Sequence, residues 1–108
     1  MNATRDNYTE VRKLTENYVR EKLTTYLTNR IHPIQLSDED FEHGVDIGVS
    51  ILETKWPQIG MYLGGDFVKA VCNNDLMEAV GRADEVNRQL LHFHCQLLYN
   101  FTPNKLLK

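Results

Sequence analysis

From Tyr8 to Arg30 the chain carries neither glycine nor proline, and apolar side chains recur at Tyr8, Val11, Leu14, Tyr18, Val19, Leu23, Tyr26, Leu27 and Ile31. Steps of three and four place these residues along one stripe of a helix. The opposite face carries Arg12, Lys13, Glu16, Arg20 and Glu21, with Glu16 four residues ahead of Arg20 in the favourable order. A helix over residues 8–31 with so wide a stripe must lay it against a partner surface. Thr15, Thr24, Thr25 and Thr28 lower its intrinsic helicity, so packing has to hold it.

His32-Pro33 ends this helix, because the residue before a proline is pushed out of the α region. Ser37 then reads as an N-cap, with Asp40 where a capping-box acid would sit, and Phe41, Val45, Gly48, Ile51 and Leu52 continue with helical spacing. Gly44 and Gly48 lie one turn apart, which either admits a close helix neighbour or weakens the helix. Residues 46–51 also alternate like a strand; helix is preferred because no second strand of similar quality is present to pair with it. Trp56-Pro57 breaks the pattern, and Gly60, Gly64 and Gly65 punctuate a connector. Two short apolar helices follow, one on Phe67, Val68, Ala70 and Val71, the next on Leu76, Met77, Ala79 and Val80, with Asn73-Asn74 as the break between them and Gly81 as a terminator. Asp84 opens a last helix whose stripe runs from Val86 to Phe101 and stops at Pro103. The expectation is a single all-α domain in which two long amphipathic helices bracket shorter ones, without internal repeats.

The 108 residues suit one core, since folding at this size hides roughly two-thirds of the chain's surface. No segment approaches the ~18 apolar residues of a membrane span, and residues 1–6 lack an apolar leader, so a soluble protein of the cytoplasm is expected. The net charge of −3 is unevenly spread: residues 1–31 sum to +2, residues 32–64 to −5 and residues 65–108 to zero. Such a balance argues against a nucleic-acid partner, which needs clustered cations to release counterions. Asp38, Glu39, Asp40, Glu42 and Asp46 could imitate a phosphate backbone toward a basic protein, although three acids after Ser37 are also what a helix N-terminus attracts. Cys72 and Cys95 sit in apolar surroundings as reduced thiols, and the sequons at Asn2, Asn7 and Asn100 are chance matches without an export signal.

Nothing in the chain reads as a reaction, so no enzyme, cofactor or metal is expected. His92 and Cys95 are i,i+3 neighbours beside His94, but no further ligand stands at a recognised spacing. The glycines lack the Lys-Ser/Thr of a phosphate loop, and Ser37 and Ser50, the only serines, show no triad. The segment richest in recognition chemistry is residues 65–87. Its two helix starts offer free N–H groups, and Arg82 adds a planar fork able to clamp phosphate or stack on a base. Asn74 and Asn87 are suited to polar edges, while Asp75 and Asp84 suit hydroxyls or the fixing of Arg82. The competing reading is that Asn74 and Asp84 cap helices and Arg82 bridges to Asp75, Glu78 or Glu85.

Gly65 and Phe67, then Ala70, Val71, Asn74, Asp75, Leu76, Ala79, Arg82, Ala83, Asp84 and Asn87, and finally Leu98, Tyr99, Asn100 and Pro103 form a spaced pattern. In this pattern the chain resembles a group of small phage and prophage proteins over residues 65–103. The resemblance implies a viral setting and the host cytoplasm, and it favours Asn74, Asp75, Arg82, Asp84 and Asn87 as a ligand or partner surface. The expected role is a non-enzymatic accessory protein, of counter-defence type, that sequesters a nucleotide-type signal in a pocket shared by a homo-oligomer. The alternatives are an inhibitor that binds a host defence or nucleic-acid-handling protein through Asp38, Glu39, Asp40 and Glu42, and a structural or assembly domain.

Overall fold

The computed structural model of the chain describes residues 2–29, 34–60 and 63–107. It is all-α, as the periodicity predicts. Within the described residues six helices follow in order: α1 (Tyr8–Thr28), α2 (Asp38–Lys55), α3 (Asp66–Cys72), α4 (Leu76–Arg82), α5 (Glu85–Gln89) and α6 (Leu91–Asn100). Short 3-10 turns at Pro57–Ile59 and Pro103–Leu107 complete the chain. The C-terminal end expected for the first helix, at Arg30 and Ile31, lies outside the described residues.

Helix α1 buries Val11, Thr15, Val19 and Leu23, a stripe that advances by four residues at each step. Leu14 and the flanking aromatics Tyr18 and Tyr26 stay partly or largely exposed, so the buried stripe is narrower than the apolar pattern. Thr15, Thr24 and Thr28 turn their hydroxyls back to the carbonyls of Val11, Arg20 and Thr24. That satisfies a buried hydroxyl at position 15 without adding to helicity.

Helix α2 is the centre of the molecule. Ser37 caps it by accepting the Asp40 N–H at 3.1 Å, and residues 46–51, open to either reading in sequence, are helical. One side of α2 packs with α1 and α6 around Val19, Leu23, Val49, Leu52, Leu90 and Leu97. The other side carries Ile51 against Phe67, Val68 and Val71 of α3 and Ala79 of α4. The two glycines permit this crowding. A Cβ at Gly48 would fall 2.7 Å from Val19 Cγ1 and 3.2 Å from Leu97 Cδ2, and one at Gly44 would fall 2.8 Å from Leu90 Cδ1.

The connection from α3 to α4 is a tight C-cap. Asn74 is the one described non-glycine residue with positive φ, at 57°. Its N–H donates to Val71 O and that of Asp75 donates to Ala70 O, the paired bonds of a Schellman ending with asparagine in place of glycine. The final helical stretch, continuous in its apolar spacing, is divided at Leu90, whose backbone (φ −102°, ψ 10°) leaves the helical region. Leu90 is completely buried against the Gly44 turn of α2. The stripe runs through this bend unbroken, and for that reason sequence spacing does not reveal it.

Two glycine substitutions separate packing from propensity. At Gly48 alanine gains about 1 kcal/mol of helix propensity but meets the stiff, buried Val19, and overpacking typically costs about 1–3 kcal/mol. Gly48→Ala is therefore expected to lower the melting temperature. Gly81, with open space where its Cβ would stand, is expected to raise it as Gly81→Ala. Thermal denaturation of the two variants checks both signs.

Candidate functional site

The five residues singled out in segment 65–87 are placed as follows. Asn74 holds the left-handed turn after α3. Asp75, rather than Asn74, caps α4 by accepting the Glu78 N–H at 3.2 Å. Arg82 binds Glu78 at 2.7 Å and lies 3.8 Å from Asp66, and the Glu78 hydrogen bond pushes its already high pKa further up. Asp84 caps α5 through the Asn87 N–H at 2.8 Å, and its second oxygen meets His43 Nε2 of α2 at 2.8 Å. Burial would raise the Asp84 carboxyl, but the Asn87 N–H and His43 together hold it below the ordinary carboxylate range. Asn87 is buried, and its side-chain oxygen faces His94 Nε2 at 3.3 Å. Four of the five side chains thus engage neighbouring groups of the fold, and Asn74 shapes the backbone.

The acidic segment is split in the same way. Glu42 forms a two-pronged ion pair with Arg20 of α1, which keeps its carboxyl below the usual range. Asp38, Glu39 and Asp40 form the first turn of α2, where the helix dipole favours them.

Histidine and cysteine near position 94 diverge. His92 is exposed with its ring edge-on to Tyr26, Cys95 is exposed on another side, and His94 is wholly buried between Phe67 and Phe93. Among the described residues no three His, Cys, Asp or Glu side chains converge as metal ligands, and no helix is long and apolar enough to cross a membrane.

Two buried polar clusters escape sequence reasoning. Glu53, with its side chain 2% exposed, accepts from the Tyr8 hydroxyl at 3.1 Å and from Arg12 Nη1 at 3.2 Å, and Arg12 also binds Glu16. Desolvation raises the Glu53 carboxyl more than Arg12 lowers it. The cluster ties the start of α1 to the end of α2. The second is His94: its Nδ1 has no hydrogen-bond partner, and burial drives its pKa down from 6.5 to about 4.

A surface opening lies elsewhere, between α1 and α6. The helices run antiparallel, as the ring contacts Tyr18–Phe101 and Tyr26–Phe93 show. They leave a cleft of about 610 Å³, floored by Phe93 and Leu97 and closed at one end by the 3-10 turn that carries Lys105. Tyr18, Lys22 and Tyr26 line one wall; His92, Gln96 and Asn100 line the other. None of the described lining residues is acidic, and Lys22 Nζ lies 5.4 Å from the centre of the Tyr18 ring. None of the five residues of segment 65–87 lines this cleft. A single chain therefore provides an opening within the usual 300–1,000 Å³ range of ligand pockets. It does so at the surface, between two helices of unequal length, so the core is not hollowed.

The signal for this cleft is weak in sequence. Tyrosines at stripe positions 18 and 26 hint at a helix edge that is apolar below and polar above, but the lysine of the C-terminal turn reaches the same place only through the chain's return. The class defined by fold and cleft is a small all-α domain with a cationic, aromatic surface groove. The chain matches no protein-family model, no curated protein and no solved structure.

His94 makes stability pH-dependent with a defined sign. Its folded pKa lies below its unfolded one, so the unfolded chain binds the extra proton, and stability present above pH 6.5 is lost as pH falls toward about 4. The full loss is about 3 kcal/mol, because each tenfold weakening of proton binding is worth about 1.4 kcal/mol. Raised Glu53 works in the opposite direction, and Asp84 acts below this window. Urea denaturation from pH 7 to pH 4 should therefore show a steeper fall in stability for the native chain than for His94→Gln; equal slopes would contradict the assignment.

Proposed function

We propose that this protein is a non-catalytic accessory protein that binds and sequesters a small nucleotide-type molecule, and that it does so in the cleft between α1 and α6. The single observation carrying this reading is the make-up of that cleft: two lysines, two tyrosines, a histidine and side-chain amides around an apolar floor, without a described carboxylate. Aromatic faces take a planar ring, ammonium groups take an anion, and amides read polar edges. The groups of segment 65–87 that chemistry alone would favour are engaged in capping and ion pairs, which supports moving the ligand site away from them. The resemblance to phage and prophage proteins gives the reading its setting, in which withholding a nucleotide-type signal from the host is a counter-defence role.

A second reading has its own support. Asp38 and Glu39 are exposed and have no ion-pair partner among the described residues, so that end of α2 remains open to a basic host protein. Reversing both charges separates the two readings, because it leaves the cleft intact.

A panel of nucleotides screened by thermal shift tests the first reading. Ligand at a hundred times its dissociation constant adds about 2.7 kcal/mol to stability. The stabilisation is expected to vanish in Gln96→Trp, which fills the cleft, and to persist in Arg82→Ala. Loss in Arg82→Ala with retention in Gln96→Trp would return the site to segment 65–87.

A further inference from the structure

We infer that the ligand of the α1–α6 cleft is a nucleoside monophosphate lying lengthwise, its phosphate between Lys22 and Lys105 and its base against Tyr26 and His92. The inference rests on the binding reading above and adds the ligand's class and direction.

The cleft has two chemically different ends. Because α1 and α6 are antiparallel, Tyr18 stands beside Phe101 and the C-terminal turn, while Tyr26 stands beside His92 and Phe93. Lys22 leans over Tyr18, and Lys105 comes from the turn after Phe101, so both cations border the first end. The second end holds the Tyr26 and His92 rings, set edge to face at 6.0 Å. Eight residues separate Tyr18 from Tyr26, about 12 Å at the helical rise of about 1.5 Å per residue, which is the reach of an extended mononucleotide from base to phosphate.

Charge selects the number of phosphates. Arg12, Arg20, Arg82 and Arg88 are each engaged with a carboxylate, whereas neither Lys22 nor Lys105 has an ion-pair partner among the described residues. Two unpaired ammonium groups match the charge of about −1.5 to −2 on one phosphate monoester at neutral pH. A triphosphate carries about twice that and is ordinarily neutralised by a magnesium ion held through carboxylates or water. No described residue lining the cleft offers a carboxylate. Thr25 and Asn29 near the ring end, with Gln96 opposite, supply donors and acceptors for a base edge.

Isothermal titration calorimetry on the full chain at low salt tests this, with adenosine, guanosine, cytidine and uridine as probes, each as nucleoside, 5′-monophosphate and 5′-triphosphate without added metal. At least one monophosphate should bind ten-fold or more tightly than its nucleoside. The paired change Lys22→Met with Lys105→Met, at surface positions and with an unchanged melting temperature as the folding control, should reduce the monophosphate to the nucleoside's affinity. Tyr26→Ala should weaken nucleoside and monophosphate alike. If nucleosides bind as well as monophosphates and the lysine pair has no effect, the cleft reading stands and the monophosphate assignment is overturned. A triphosphate that binds more tightly than its monophosphate overturns it also. If no probe binds, or binding survives Gln96→Trp, the cleft reading itself fails.

Discussion

The closeness of α1 and α6 to the backbone of α2 is the constraint on which the structure depends. At Gly44 and Gly48 the space a methyl group would occupy is taken by Leu90, Leu23, Val19 and Leu97. Two glycines inside a helix sacrifice propensity, roughly 1 kcal/mol apiece. Their return is close contact between three helices around one core. Because α1 and α6 are drawn onto the same side of α2, their outer flanks face one another across a groove. The close approach that makes the core therefore also sets the walls of the candidate binding cleft.

Polar groups inside this small fold act as ties. Glu53 joins the start of α1 to the end of α2 through Tyr8 and Arg12, and burying one carboxylate with a partly exposed arginine is costly unless every oxygen is met. His94 and Asn87 form a smaller tie under α5, reinforced outside by the His43–Asp84 pair. Burial raises the pKa of Glu53 and lowers that of His94, disfavouring the charged form in both. The carboxylate is compensated by Arg12; the imidazole, with one bare nitrogen, resists protonation.

Much of the architecture is legible in the residues. The Ser37 cap, the break at Asn73-Asn74 and the cap at Asp84 each follow from local chemistry and stand where that chemistry puts them, whereas the stripe of α1 holds only in part, with Thr15 buried in it and Leu14 exposed. Features made by distant segments meeting are not legible in this way. The bend at Leu90 is hidden because both α5 and α6 keep their apolar residues in one continuing stripe. Glu53 falls beside Leu52 on the buried face of α2, where a carboxylate is tolerated only because α1 brings Arg12 to it. Segment 65–87 draws attention because it is dense in Asn, Asp and Arg, yet caps and ion pairs use the same residue types as ligand sites. The cleft, in contrast, joins Tyr18, Lys22 and Tyr26 of α1 to His92, Gln96, Asn100 and Lys105 some seventy residues further along, and only the antiparallel register of α1 and α6 unites the two groups.

On the reading proposed, recognition falls to the α1–α6 groove, while the polar side chains of segment 65–87 cap helices and form ion pairs. Amide chemical-shift mapping by NMR during titration with a nucleoside monophosphate tests this most directly. Perturbed amides are expected to cluster at residues 18–29 and 92–105. Perturbations gathered at residues 74–87, with the cleft unchanged, would contradict it.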